Sequence, residues 1–300
     1  MQYSGLLPLF LLQFAGTVFA VEPEAVYDGG YSSANSPVRL RIGNGGAGQS
    51  GLVKALADAF IQSEIEAGSK PFRVAWYKSD TTVTINYLKI GTVDVGITYS
   101  AVAENISIQQ GIAESRHYAF RDHFMLTGPP SNPANLTKSD DIMNMFSSMH
   151  TAAEAGKSDP PVRFLSRYDK SATNIKEASL WLSIGQVPWA TAYSTWYHQY
   201  ITFPIQALAA AIQLKEYTIT DFGTYLSLPR GLRDQMVIYK KSTDNADDLL
   251  LNPAYLLVGT RASDGDIAKL FAKWLVSQNG GQKVIRVFKK DGQVLYSPAP

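Results

Sequence analysis

Four glycines lie within the six residues 43–48, in a loop that joins a predicted strand to a predicted helix. Glycine lets several backbone N–H groups point into one concavity, and a helix beginning near Ser50 adds the positive end of its dipole. Such a loop binds anions well. We therefore predict ligand contacts from Asn44, Gly45, Gly46 and Ser50, while a plain tight turn is the simpler alternative.

The same glycines match the Gly-x-Gly-x-x-Gly pattern of dinucleotide-binding folds. That pattern requires an acidic residue at the end of the second strand to bind a ribose hydroxyl. Here Tyr77, Lys78 and Ser79 occupy that end, and Asp80 comes late. We therefore favour a small anion over a dinucleotide and expect no cofactor.

A second group of anion-binding side chains precedes a predicted helix over residues 174–182. Ser171 and Thr173 are natural N-cap residues, and Arg167 brings a planar set of donors beside them. Ser166, Ser79 and Thr81 are weaker candidates for ligand contacts. Two half-sites on two lobes would together enclose a dianion and satisfy its oxygens.

The order of predicted elements indicates how the half-sites are positioned. Strands at residues 38–42, 72–77 and 94–99 alternate with helices, which is typical of a parallel sheet. A short strand at residues 123–127 and a proline-rich stretch at residues 128–133 suggest a crossing into a second lobe. A strand at residues 252–258 is expected to return to the first. We predict lobe 1 from residues 38–127 and 250–296, and lobe 2 from residues 128–249.

Composition narrows the classes of protein. The chain has 300 residues, 45% of them hydrophobic, and a formal net charge of +1. That charge gives no reason to expect nucleic acid or an anionic membrane as a partner. Cysteine is absent, which removes thiolate catalysis and thiolate metal sites. The histidines show no metal-ligand spacing, so no metal site is predicted.

The first 20 residues carry an apolar run and end in Val-Phe-Ala, which is typical of a signal peptide. An uncleaved anchor is the alternative. We predict a secreted, extracellular protein without membrane insertion, and a flexible leader over residues 21–37. Asn105 and Asn135 begin Asn-x-Ser/Thr sequons and are candidate N-glycosylation sites.

No nucleophile, base or carboxylate pair suited to catalysis is apparent beside either half-site. A binding protein is therefore predicted rather than an enzyme. The alternatives left open are an organic or phosphorylated anion as ligand, and a secreted enzyme on the same fold.

Three motifs are distinctive together. Residues 166–174 read Ser-Arg-Tyr-Asp-Lys-Ser-Ala-Thr-Asn, residues 217–225 read Tyr-Thr-Ile-Thr-Asp-Phe-Gly-Thr-Tyr, and residues 250–253 read Leu-Leu-Asn-Pro. They resemble a known family, the tungstate-binding proteins of the TupA type, a branch of the type II periplasmic binding proteins. The first is similar to that family's Ser-Arg-Gly-Asp-x-Ser-Gly-Thr-His, the second to its Tyr-Thr-Leu-Thr-Asp-x-Gly-Thr-Tyr, and the third to its return crossing. Two departures stand out: Gly-Asn-Gly-Gly at residues 43–46 replaces Thr-Thr-Thr-Ser, and Ser-Asp-Thr-Thr at residues 79–82 replaces Gly-Thr-Gly-Gln.

The resemblance implies an α/β, type II periplasmic-binding-protein fold. Its two lobes would each have a central mixed, mainly parallel sheet flanked by helices, with the ligand cleft between them. It also implies a small oxyanion ligand, such as tungstate or molybdate, contacted by Arg167, Ser171 and Thr173 and less certainly by Ser166. Family members deliver their ligand to an importer; for this chain the importer partner is unknown, and a monomer is expected.

Overall fold

The computed structural model describes residues 21–31 and 34–300. The predicted signal peptide, residues 1–20, lies outside the described residues.

The strands and helices alternate through most of the chain. The strands are β1 (Ala25–Tyr27), β2 (Val38–Asn44), β3 (Arg73–Lys78), β4 (Val95–Thr98), β5 (Ala113–Gly128), β6 (Phe164–Ser166), β7 (Tyr197–Gln199), β8 (Thr218–Asp221), β9 (Val237–Lys241), β10 (Leu251–Gly259), β11 (Lys289–Lys290), β12 (Gln293–Val294) and β13 (Ser297–Pro298). The α-helices are α1 (Gly46–Ser50), α2 (Leu52–Glu66), α3 (Thr81–Ile90), α4 (Ala101–Gln109), α5 (Ile142–Ala155), α6 (Ala172–Ser183), α7 (Pro204–Leu214), α8 (Phe222–Ser227), α9 (Arg230–Arg233), α10 (Gly265–Val276) and α11 (Gly281–Val287). A 3₁₀ turn covers Pro188–Ala190.

Lobe 1 is built on a sheet with the strand order β1-β3-β2-β4-β10-β5-β13. Strand β2 pairs in parallel with both β3 and β4, and Ile42 lies beside Trp76 and Val95. Strands β1 and β10 are antiparallel to their neighbours. The carboxyl ends of the three parallel strands therefore meet at one edge, where their following loops can share a ligand.

The 16-residue strand β5 belongs to both lobes. Its first part pairs with β10 and β13, and its last residues, Phe124 to Gly128, pair with β8 and β9. Strand β10 lies beside it, with Asn252 opposite Asp122. These two neighbouring strands connect the lobes.

Two large hydrophobic cores match this arrangement. The first packs α2 and α10 on the lobe 1 sheet around Phe60 and Phe271. The second packs α5 and α6 on β6, with Phe146, Phe164 and Trp181 in mutual ring contact. The predicted two-lobed α/β fold is confirmed. We retain the predicted lobe boundaries as a proposal, with β5 as the shared strand.

The helix predicted to begin near Ser50 is present as α2, which begins at Leu52; Gly51 in a left-handed conformation (φ 97°) separates it from the additional short helix α1. Two predictions about elements are corrected. Residues 25–27 are not a flexible leader but form β1, whose Ala25 pairs with Trp76 at the sheet edge. The strand predicted at residues 123–127 is the end of the much longer β5.

Within the described residues, no helix combines the length and apolar character needed to cross a membrane.

Candidate ligand-binding cleft

A cavity of about 640 Å³ lies between the lobes. It is lined from lobe 1 and from the strands that connect the lobes by Glu24, Gly45, Gly46, Gln49, Lys78, Ser79, Asp80, Thr81, Ile97, Tyr99, Asp122, Phe124 and Asn252. From lobe 2 it is lined by Arg167, Asp169, Ser171, Ala172, Thr173, Ile201, Thr202, Phe203, Pro204 and Asp221. Both predicted half-sites therefore face one space.

The glycine loop, residues 44–50, is held against the sheet by close packing. A Cβ atom on Gly48 would lie 2.1 Å from the Trp76 ring, so a side chain cannot fit there. The Trp76 indole N–H donates to the Asn44 carbonyl at 2.8 Å. Gly45 and Gly46 line the cavity, and nothing lies within 4 Å of a Cβ placed on Gly46. The loop thus presents bare backbone to the ligand space.

Two residues predicted from this loop, Asn44 and Ser50, lie outside the cavity lining, and their contact with a ligand stays a prediction. Asn44 is fully buried; its side chain donates to the Ile97 carbonyl at 2.9 Å and accepts from the Gly48 N–H at 2.8 Å. Ser50 donates to the Ala47 carbonyl and lies 2.8 Å from the Tyr296 hydroxyl. Both residues brace the loop.

The start of α3 contributes the next part of the wall. Asp80 caps the helix, accepting from the Val83 N–H at 2.8 Å. The Ser79 hydroxyl is engaged with Thr84 at 2.7 Å and with the Tyr77 carbonyl. Thr81 is 5% exposed, and its buried hydroxyl has no hydrogen-bond partner within residues 21–31 and 34–300. A buried unsatisfied hydroxyl is unfavourable, so Thr81 stands out as a group that a ligand would satisfy.

The arginine loop, residues 166–173, carries charge into the cavity from lobe 2. The Arg167 side chain is 10% exposed and donates to Asp169 at 2.5 Å. Its other recorded partners are the Thr202 carbonyl and the Thr173 hydroxyl, both at 3.4 Å. Ser171 donates its hydroxyl to Asp169 and accepts from the Asn174 N–H as the N-cap of α6. Arg167 and Thr173 thus face the ligand space with donors to spare, whereas Ser171 is internally bonded.

A buried carboxyl network supports the arginine loop from behind. Ser166, predicted as a weaker ligand contact, is fully buried and lies outside the cavity lining, and its contact with a ligand stays a prediction. It donates to Glu177 at 2.9 Å and accepts from the Tyr168 N–H. Burial raises the pKa of Glu177 to about 7, although hydrogen bonds from Tyr197 and Ser166 lower it.

Several cavity residues were not predicted from the sequence. Tyr99 follows β4, and its hydroxyl accepts from the Asn44 side chain at 3.3 Å. Burial raises the pKa of Tyr99, so the hydroxyl stays protonated and able to donate. Its position at the carboxyl end of a predicted parallel strand was the available signal. Ile201 and Phe203, both exposed, add apolar wall from an irregular segment that gave no signal.

Two contacts join the lobes across the cleft. The Lys78 ammonium lies 4.5 Å from the centroid of the Phe203 ring, and the Thr82 hydroxyl donates to the Lys170 carbonyl at 3.3 Å. The two walls of the cavity are therefore close enough to bind one small ligand from both sides.

The remaining predicted positions lie elsewhere. Asn105 is exposed on α4 and Asn135 is exposed in the loop before α5; neither lines the cavity, and their glycosylation stays a prediction. Across the part of the chain that the structure describes, no group of three or more His, Asp or Glu side chains is arranged to hold a metal ion.

Comparison with solved structures places this fold among binding proteins. A crystal structure described provisionally as a periplasmic metal binding protein is 76% identical, with a TM-score of 0.87, and the match covers 92% of this chain and 99% of that one.

Two curated relatives are described by the anions they bind. The tungstate-binding protein TupA of Peptoclostridium acidaminophilum is 27% identical over 80% of this chain and 84% of its own length. A provisionally assigned ABC transporter anion-binding protein of Haloferax volcanii is 27% identical over 75% of this chain. The match spans 63% of that relative's length. The predicted resemblance to TupA-type proteins is confirmed, and none of these proteins is described as an enzyme.

The family model described as the PBP superfamily domain matches residues 31–279. Because this match extends over most of the chain, the protein belongs to the PBP superfamily.

Proposed function

We propose that this protein is a solute-binding protein that holds a small oxyanion of the tungstate or molybdate kind between its lobes and performs no chemistry on it. The observation that carries the proposal is the Arg167 guanidinium, which lies nine-tenths buried in the wall of the interlobe cavity. The descriptions of the TupA and anion-binding relatives support it.

The donor inventory of Arg167 leaves capacity for a ligand. A guanidinium has five N–H donors in a planar fork. Its recorded bonds to Thr202, Thr173 and Asp169 use one donor each. Two donors remain, which suits bidentate recognition of an oxyanion.

Lobe 1 supplies uncharged donors opposite this arginine. Gly45 and Gly46 offer backbone N–H groups, and Thr81 and Tyr99 offer hydroxyls. We narrow the proposed contacts to these four residues with Arg167 and Thr173. Ser79 and Ser171 are placed behind them as supports, because their hydroxyls are bonded within the protein.

A second candidate ligand is an organic or phosphorylated anion. The cavity volume of about 640 Å³ falls within the range of about 300–1,000 Å³ typical of pockets for drug-sized ligands. Phe124, Ile201 and Phe203 give it apolar wall. An organic anion with its charged group on Arg167 and its apolar part against these residues would fill the cavity better than an inorganic oxyanion alone.

We further propose that the chain is secreted, works as a monomer and hands its ligand to an importer. The 76% identical relative is described as periplasmic, and a second relative is described as belonging to an ABC transporter.

Isothermal titration of the protein with tungstate, molybdate, sulfate, phosphate and small carboxylates tests the proposal. We expect micromolar or tighter binding of at least one inorganic oxyanion. We expect Arg167→Ala to weaken it by about 30-fold or more, since removing one partner of a buried charged hydrogen bond costs about 2–5 kcal/mol. Arg163→Ala is the matched control, because this exposed arginine lies in the same lobe outside the cleft and its loss should leave affinity unchanged.

Thermal unfolding provides an independent measurement. A ligand at about 100 times its Kd stabilises the folded state by about 2.7 kcal/mol, or several degrees. Binding of carboxylates or phosphorylated metabolites alone would replace the first candidate with the second. Equal loss of affinity in Arg167→Ala and Arg163→Ala would contradict the assignment of the site.

A further inference from the structure

Asp122 lies at the floor of the cleft, on the strand that the two lobes share. It is 6% exposed, lines the cavity and pairs with Asn252 of β10. Its Oδ1 accepts from the His123 N–H at 2.8 Å, and its Oδ2 accepts from the Asn252 side chain at 3.1 Å. A carboxylate has about four acceptor positions, so this group can still bond a ligand.

The other carboxylates of the cleft are paired, cap a helix or are exposed. Asp169 is paired with Arg167, and Asp80 caps α3. Asp221 caps α8, with both oxygens accepting from Thr224 at 2.7 and 2.6 Å. Glu24 is exposed at the cavity's edge. Asp122 has no ion pair with any residue in the described ranges, and of these five carboxylates it alone is buried.

The groups around Asp122 disfavour its charged form. Burial and the neighbouring carboxylate of Asp221 raise the pKa of Asp122 to about 7, although the bonds from His123 and Asn252 and the charge of Lys241 on β9 lower it. Lys241 itself lies over the Phe222 ring, 3.2 Å from its centroid. The phenols of Tyr99 and Tyr296 complete the charged and titratable surroundings, and burial raises the pKa of each, so neither brings a charge.

We propose that Asp122 is a ligand-contacting residue that holds a proton when the cleft is occupied, so that the anion is bound together with one proton. The inference rests on the proposed function, since it concerns the same cleft. An independent feature points to a ligand here: Thr81, which lines the same cavity, has a buried hydroxyl without a partner in the described residues.

An ionised carboxylate beside an anion is repelled by it, and the repulsion is stronger in a partly buried site than in water because the effective dielectric constant is lower. A protonated Asp122 instead donates a hydrogen bond to the same oxyanion. For an anion that carries a proton itself, such as hydrogenphosphate, the ligand's O–H can donate to ionised Asp122, and the same proton is shared. Fully ionised oxyanions must therefore take up a proton from solvent on binding.

The affinity of the cleft for fully ionised anions should therefore decrease with rising pH. Sulfate and tungstate carry no proton between pH 6 and 9, so their affinity should be highest where Asp122 is protonated. It should fall as pH rises through about 7, approaching tenfold per pH unit, or about 50-fold between pH 7 and 9. Asp122→Asn, whose amide always offers a donor, should bind these anions with a flat pH profile. Asp247→Asn, an equal charge change on an exposed residue, should retain the wild-type slope.

Titration calorimetry with tungstate and sulfate, in two buffers of different ionisation enthalpy at pH 8, counts the protons without any substitution. Uptake close to one proton per anion is the expected result. Binding with no proton uptake and a flat wild-type profile overturns the role of Asp122 while leaving the proposed function intact. The absence of binding by any anion at any pH overturns the proposed function, and this inference with it.

Discussion

The glycine loop (residues 44–50) and the arginine loop (residues 166–173) both follow a strand and lead into a helix, yet they are built on different principles. The glycine loop brings no charged side chain and is fixed by contact with Trp76 and by the internal bonds of Asn44. The arginine loop brings two basic side chains, Arg167 and Lys170, and one acidic side chain, Asp169. It is fixed by side-chain bonds to Asp169 and Glu177.

The two loops therefore determine different properties of the proposed site. One determines the shape of the space for the ligand, and the other determines which charge the ligand carries. Lobe 1 determines how closely the backbone approaches a ligand, because even one methyl group at Gly48 is excluded. Lobe 2 determines the sign of the ligand's charge through Arg167, whose pairing with Asp169 moderates it. We therefore expect substitutions in the glycine loop to act mainly on stability and geometry, and those in the arginine loop mainly on affinity.

The largest effect should follow from Gly48→Ala. Its Cβ would lie 2.1–2.4 Å from three atoms of the Trp76 ring, so the indole and the sheet beneath must move. Overpacking of this kind costs typically about 1–3 kcal/mol, and we expect the upper end. Urea unfolding measures it. Gly46→Ala is the control in the same loop, with open space around its Cβ, and equal destabilisation of both variants would contradict the packing argument.

Sequence reasoning found the two loops because their signals are local. Glycine spacing between a strand and a helix, and an arginine close before an N-cap serine, can be read from neighbouring residues. The indole beneath Gly48 could not be found in this way, since Trp76 is 28 residues away and only the parallel pairing of β2 and β3 brings it there. The sequence predicts Asn44 as a ligand contact because it does not show that the Asn44 amide is bonded within the protein. In the structure this amide donates to the Ile97 carbonyl and accepts from the Gly48 N–H.

The sequence gives no signal for Asp122, because the predicted strand before the lobe crossing begins one residue later, at His123. The structure shows one continuous strand from Ala113 to Gly128, which brings Asp122 beside Asn252 at the floor of the cleft. A charged residue within a strand gives no local sign of whether it faces solvent or a ligand. Whether Asp122 faces a ligand depends on β10, the second strand that connects the lobes. Its Asn252 lies 130 residues later in the chain.

An intermediate effect is expected from Asp169→Asn in the arginine loop. The amide can still accept from the Ser171 N–H, so the loop should hold its shape, but the charge that neutralises Arg167 is removed. We expect anion affinity to rise by about tenfold, equivalent to about 1.4 kcal/mol. Titration calorimetry at low and high salt measures it. Asp247→Asn makes the same change in net charge outside the cleft, so an equal gain there would attribute the effect to overall charge.

The smallest effect on affinity is expected from introducing a hydroxyl into the glycine loop. TupA-type proteins have a hydroxyl-rich segment where this chain has residues 43–46, and Gly46 is where a side chain has room. Gly46→Ser should keep the fold and improve tungstate affinity roughly three- to tenfold, since one added hydrogen bond contributes about 0.5–1.5 kcal/mol. Gly45→Ser should not, because its Cβ would lie 2.9 Å from the Ser79 carbonyl oxygen and push the two walls apart.

Comparing Gly46→Ser with Gly46→Ala isolates the hydroxyl from the added carbon. If both variants bind tungstate alike, a side chain at Gly46 does not reach the anion, and the contacts from lobe 1 are limited to Gly45, Thr81 and Tyr99. If serine helps tungstate but weakens binding of a larger organic anion, the open space at Gly46 is part of the ligand's volume. In that case the glycines leave room for a ligand larger than tungstate, and the cavity volume of about 640 Å³ matches the size of that ligand.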